Sequence, residues 1–144
     1  MPEGQGRGVE DFDSGLACLA LISRYFQRPL DSNQVRHDYG KVVGAFDAVD
    51  IVRCAKRAGL LARLSQSRWD RLDRAPLPAI APLKDGRFVL FARKVEGKML
   101  IQDPAKPGPE LLSAEEVAAL WDGRLILVTH REALAGPARG FDLS

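Results

Sequence analysis

Apolar positions near the start of the chain recur at helical spacing. Leu16, Leu19, Ile22 and Phe26 fall on one stripe, which predicts a first helix stopped before Pro29. Asp31, with Gln34 three residues on, predicts a short, capped second helix. Ala48, Ile51, Val52 and Ala55 mark a third, closed by Gly59 in the C-cap role. The pattern then changes. Leu60 to Leu64, Ala79 to Leu83, Arg87 to Arg93, Lys98 to Gln102 and Leu125 to Thr129 read as strands. Asp85-Gly86 and Glu96-Gly97 supply tight turns between them. Ser113 and Glu116 form a capping box for a helix running through Leu120. Helices first, then mostly antiparallel strands, predict an α+β fold with a helical half packed on a sheet. No segment repeats.

Composition narrows this only slightly. At 144 residues, 46% hydrophobic and 28% charged, the chain has the length and make-up of one globular domain with a proper core. Residues 1–10 are Gly-rich and polar, without the apolar run of a signal peptide, and read as a flexible start. Residues 11–131 carry the domain. Residues 132–144 hold Gly and Pro without periodicity and read as a linker. No stretch approaches the ~20 apolar residues of a membrane span. Cys18 and Cys54 sit in apolar helical stretches without framework or metal-ligand spacing, so a reducing cytosol is the default setting. Neither a metal nor a cofactor is implied, and the Gly4 to Gly8 run lacks the lysine and hydroxyl of a phosphate-cradling loop.

Candidate chemistry begins at Asp13-Ser14-Gly15-Leu16-Ala17-Cys18-Leu19. A nucleophile in the first turn of a helix gains from unpaired N–H groups and the macrodipole, an advantage to a thiol and of little use to an alcohol without a base. Two later segments join it: Asp85-Gly86-Arg87-Phe88-Val89-Leu90-Phe91, a turn entering a strand, and Lys98 to Pro104, a strand ending in Asp-Pro. Together these resemble the bacteriocin-processing cysteine peptidase family, the papain-like domain fused to peptide-exporting ABC transporters. Ala55, Ala58-Gly59-Leu60 and Leu77-Pro78-Ala79-Ile80 extend the likeness from about Asp11 to Arg131. The resemblance implies a papain-like fold. It places Ser14 at the nucleophile, Arg87 at the base and Asp103 at the orienting carboxylate, with Cys18 at the second, non-nucleophilic cysteine. Gly8 falls near the oxyanion-hole glutamine, and Gln5 is the nearest candidate. Arginine cannot accept a proton at neutral pH. The likeness is therefore to the degenerate peptidase-like domain at the N-terminus of haemolysin (RTX) type I exporters, which implies no catalysis and an unfolded substrate to dock. On that resemblance residues 132–144 lead toward a membrane domain, at the cytoplasmic face of the inner membrane; a free-standing protein with a loose tail is the alternative. His37 and His130 lie outside the matching segments.

A basic stretch adds a binding expectation. Arg53, Lys56, Arg57, Arg63, Arg68, Arg71 and Arg74 face only Asp70 and Asp73. They form either a solvated surface or a patch that steers an acidic partner, and RTX-type substrates, unfolded without calcium, would suit it. Arg57, Arg63, Arg68, Trp69 and Arg71 are the substrate-contact candidates, with Trp69 either packed or an exposed anchor. Trp121 is expected in the core. A net charge of +2 without a recognised motif argues against nucleic acid. The transporter's own membrane and nucleotide-binding parts are the other expected partners. Two further readings stay open: an active double-glycine leader peptidase, and a regulatory domain that touches only the transporter.

Overall fold

The computed structural model describes residues 12–40 and 45–130. Three helices come first: α1 (Ser14–Tyr25), α2 (Ser32–Tyr39) and α3 (Ala48–Arg57). Strands β1 (Leu60–Gln66), β2 (Ala79–Pro82), β3 (Phe88–Val95), β4 (Lys98–Gln102), β5 (Glu110–Leu112) and β6 (Arg124–His130) follow, with α4 (Ala114–Leu120) between the last two. They form one six-stranded antiparallel sheet in the order β1-β6-β2-β3-β4-β5. None of the described helices is long and apolar enough to cross a membrane.

Both sheet faces are covered, and β3 shows why its sequence is a continuous apolar run. Side chains alternate along a strand. Phe88 and Leu90 therefore enter the core beneath α1–α3, with Leu19, Ile22, Ile51 and Ile126. Val89 and Phe91 enter a second core on the opposite face, with Leu72, Met99, Val117 and Leu125. Trp121 completes that second core as expected: it is 7% exposed, its ring meets Phe91 edge-on at 5.2 Å, and its Nε1 donates to the Arg124 carbonyl at 2.7 Å.

Local signals act largely as expected. Asp31 Oδ1 accepts from the Asn33 and Gln34 amides at the start of α2. Ser113 and Glu116 make the reciprocal capping box of α4. Gly59 follows α3 at φ +90°, a left-handed conformation that glycine adopts without strain. Strands β1, β3 and β6 run longer than the sequence pattern suggested, and β5 was not anticipated. It pairs Leu112, Leu111 and Glu110 with Met99, Leu100 and Ile101 of β4.

Candidate functional site

The N-terminus of α1 is fixed by Asp13. Its Oδ1 accepts from the Leu16 amide at 3.1 Å, capping the helix, and its Oδ2 accepts from the Phe46 amide at 3.0 Å. Arg36 approaches the same Oδ2 at 3.8 Å. One carboxylate thus ties α1 to α2 and to the approach to α3. With Asp13 as the cap, Ser14 becomes the first helical residue, and its hydroxyl serves another purpose. Ser14 Oγ accepts from the Phe88 amide at 2.9 Å, joining α1 to the start of β3. Gly15 lets the three elements close. A Cβ there would lie 2.7 Å from Ile51 Cδ1 and 3.1 Å from Phe88 Cδ1, nearer than van der Waals contact allows.

Arg87 sits one residue before the Phe88 amide. Its own amide donates to Asp85 Oδ1 at 2.9 Å and its Nε to Asp85 Oδ2 at 3.1 Å. Its Nη1 reaches Asp103 Oδ2 at 3.3 Å. Asp103 is 6% exposed, and its other oxygen accepts from the Ala105 amide at 2.9 Å in the Asp-Pro turn. The fold therefore gathers Ser14, Arg87 and Asp103 from three separate segments at one end of α1. The hydrogen bond to Asp85 holds the Arg87 guanidinium above its ordinary pKa; partial desolvation opposes this and Asp103 adds to it. The hydrogen bonds from the Arg87 amide and side chain hold the Asp85 carboxyl below its usual value. Arg87 stays protonated and is a donor only.

Among the described residues, no histidine, lysine or carboxylate is hydrogen-bonded to the Ser14 hydroxyl. The chain has two histidines. His37 is exposed in the last turn of α2, and His130, ending β6, packs its ring 5.3 Å from that of Phe26. Cys18, one turn beyond Ser14, is fully buried; burial, then the charges of Asp103 and Asp13, push its thiol far above the usual range. Burial, then Asp50, pushes Cys54 up to about 11. Both thiols are buried and held protonated at neutral pH. Gln5 and Gly8 lie outside the described residues, as do the expected flexible start and linker.

The five substrate-contact candidates part company. Arg57 Nη1 donates to the Asp38 carbonyl at 2.8 Å and its guanidinium lies 5.7 Å from the Tyr39 ring centre, so it clasps α2. Arg68 Nε pairs with Asp70 at 2.9 Å. Trp69 is half-buried against the second core, with Lys94 Nζ 4.2 Å from its ring centre and bonded to its carbonyl at 3.0 Å. It takes the packed alternative, not that of an exposed indole between arginines. Arg63 and Arg71 remain together, beside Arg74, over one shallow hollow. Proximity in sequence to Asp70 and Asp73 did not show which charges were already engaged. The Asp13 hub was also missed, although an aspartate just ahead of an apolar helical stripe is a common cap signal.

Comparison with known proteins gives the chain as a whole a family. The cyclolysin secretion/processing ATP-binding protein CyaB of Bordetella pertussis is 37% identical over 135 residues, which are 92% of this chain and 18% of that protein. The alpha-hemolysin translocation ATP-binding protein HlyB of Escherichia coli O157:H7 is 29% identical over 91% of this chain and 19% of its own length. The chain thus spans about a fifth of these relatives. Among solved structures, the N-terminal peptidase C39 like domain of the toxin secretion ATP-binding protein from Vibrio parahaemolyticus superimposes with a TM-score of 0.73 at 22% identity, covering 83% of this chain and 98% of that one. The fold is accordingly papain-like. A model of the peptidase C39 family matches residues 7–133, and the chain belongs to that family.

Proposed function

We propose that this is a peptidase C39-like domain of a toxin-secretion ABC transporter that does not cleave, and that docks an unfolded, RTX-type substrate before export. The observation that carries the first half is Arg87. The position beside Ser14 that needs a proton acceptor holds a guanidinium bonded to Asp85 and Asp103. Asp103 has no imidazole to orient, and the Ser14 hydroxyl has no base to remove its proton. The likeness to CyaB and HlyB over nine-tenths of this chain supports the second half, the transport setting. In that setting the domain lies at the cytoplasmic face of the bacterial inner membrane, joined through residues 132–144 to membrane and nucleotide-binding parts.

The test is proteolysis. Incubated with double-glycine leader peptides and followed by mass spectrometry, the chain should leave them intact. Ser14→Cys alone should not start turnover, since the thiol would still lack a base. Ser14→Cys combined with Arg87→His should give partial cleavage, because Asp103 could then orient the imidazole. Cleavage by the unaltered chain that disappears in Ser14→Ala would overturn the proposal. For docking, titration with a calcium-free RTX repeat protein should show binding on the order of micromolar, weak enough for release. Equal binding with calcium present would count against docking of the unfolded form.

A further inference from the structure

Along the β1–β6 edge of the sheet, two hollows adjoin and share Arg63, Pro76 and Leu127; the larger, about 670 Å³, is also lined by Leu60, Ala62 and Val128. Their floor is built from three cross-strand pairs of β1 and β6: Leu61 with Thr129, Arg63 with Leu127, and Ser65 with Leu125. Strand alternation sends Leu60, Ala62, Leu64, Ile126 and Val128 into the helix-side core, so these six residues belong to the opposite face. The Arg71 to Pro76 segment forms one wall, and Lys56, on α3 itself, lines the larger hollow.

The charge of this groove is one-sided. Lys56, Arg63, Arg71 and Arg74 line it, and no carboxylate does. The acids nearest in sequence are engaged elsewhere, Asp70 by Arg68 at 2.9 Å and Asp73 by Lys94 at 3.3 Å. Among the described residues, none of the four lining cations makes an ion pair. Elsewhere among the described residues, Arg87 and Arg124 are matched to carboxylates, while Arg24, Arg53, Arg93 and Lys98 also make no ion pair. What distinguishes the groove is that four such cations line one surface without a carboxylate. Four unmatched cations surround a floor that includes apolar Leu61, Pro76 and Leu127 beside polar Ser65 and Thr129, a lining suited to an anionic partner with apolar side chains.

We propose that this groove docks an extended acidic polypeptide segment, its carboxylates meeting Arg63, Arg71 and Arg74 and its interleaved apolar side chains covering Leu61, Pro76 and Leu127. The inference deepens the docking function proposed above and rests on it for the identity of the natural cargo. An extended chain places alternate side chains on one face about 6–7 Å apart, the repeat at which Leu61, Arg63 and Ser65 succeed one another along β1. Rim cations speed encounter, and burial of the apolar floor slows release. Nucleic acid fits less well. Single-strand binding sites offer exposed rings for stacking, no aromatic residue lines either hollow, and Lys94 covers Trp69.

The probe is a fluorescent synthetic peptide alternating aspartate and leucine, titrated against the whole chain by anisotropy. Binding should weaken about tenfold or more in Arg63→Glu with Arg71→Glu, and similarly when asparagine replaces aspartate in the peptide. Lys98→Glu, exposed on β4 outside the groove, should change affinity less than about twofold, and circular dichroism should show all variants folded. Failure of the peptide to bind, equal binding by the double variant, or tighter binding of oligo-dT with the same mutational pattern would each overturn the groove. A calcium-free RTX repeat protein separates the two proposals. If it binds the double variant as well as the original chain, docking stands and the groove falls. If the peptide obeys the groove variants and the repeat protein does not bind, the groove stands and the cargo assignment falls.

Discussion

The two faces of the sheet use the same residue types to opposite ends. At the α1 end, charge is internally matched: Asp13 receives two amides and Arg36, Arg87 is held between Asp85 and Asp103, and Asp103 is completed by the Ala105 amide. On the far face, Arg63, Arg71 and Arg74 gather with no carboxylate among them. A cation whose partner belongs to its own fold contributes position, and one without such a partner is free to attract a ligand. The Ser14, Arg87 and Asp103 cluster thus fastens α1, β3 and the β4 turn to one another, and the groove leaves its cations open, as the docking proposal requires.

The strongest way to separate the halves is alkaline pH. Cys18 and Cys54 both lie in the helix-side core, and the core behind the groove contains no thiol. Burial raises both folded-state pKa values, Cys54 from 9.0 to about 11. A raised folded pKa means that the folded state keeps its proton when the unfolded chain has lost it. This contribution is therefore complete below about 9 and is lost as pH rises through about 11. Cys54 alone should account for part of this decline, on the order of 1–2 kcal/mol after solvent screening. Urea unfolding between neutral pH and pH 11 should show the decline, and Cys54→Ala should reduce it, Cys18 carrying the remainder. A pH-independent midpoint would remove the thiols as the weak point of the helical half.

Gly15→Ala tests shape where pH tests charge. The added methyl would meet Ile51 at 2.7 Å and Phe88 at 3.1 Å, both within the helix-side core. Overpacking of this kind should destabilise by about 1–3 kcal/mol. Arg71→Ala in the groove should remain within about 0.5 kcal/mol in the same urea titration. Equal effects would mean that the two regions are built to the same tolerance. Asp13→Ala comes next, at about 1–2 kcal/mol, since it removes a helix cap and leaves the Phe46 amide without its carboxylate. Asp13→Asn should recover about half by keeping one oxygen acceptor. Similar melting of the two variants would argue that charge, not hydrogen bonding, is what Asp13 supplies.

Periodicity and turn chemistry made the architecture legible, because each is local. The Leu16 to Phe26 stripe, the Asp85-Gly86 and Glu96-Gly97 turns and the Ser113–Glu116 box all act within a few residues of themselves. Glu96 and Gly97 both take positive φ, +52° and +79°, as a tight hairpin turn requires. What escaped was set by partners distant in sequence. Strand β5 is three residues long, with too little alternation to read, and it forms against the free edge of β4. Trp69 stands among arginines in sequence, yet Lys94, on β3, covers its ring. Arg57 belongs to the basic stretch by position and to α2 by contact. The Ser14, Arg87 and Asp103 cluster was legible through family resemblance. The groove was not, because it needs β1, β6 and the Arg71 to Pro76 segment brought side by side.

The smallest expected effect bears most directly on the comparison. Arg87→Gln removes the guanidinium while leaving the backbone that presents Phe88 to Ser14. Asp85 is exposed and regains water, so its loss contributes little. Asp103 is buried and keeps the Ala105 amide, so it loses one of two partners. Arg87 itself is half exposed, which screens the pair, and the net cost should be under about 1 kcal/mol. Affinity for the acidic peptide should be unchanged, since Arg87 does not line the groove. The sharper readout is salt. Raising ionic strength from about 50 to about 500 mM should narrow the stability gap between Arg87→Gln and the original chain, and should weaken peptide binding to both proteins alike. If Arg87→Gln instead abolished peptide binding while leaving stability intact, the open cation would be at the α1 end, and the assignment of fastening and ligand site to the two faces would have to be exchanged.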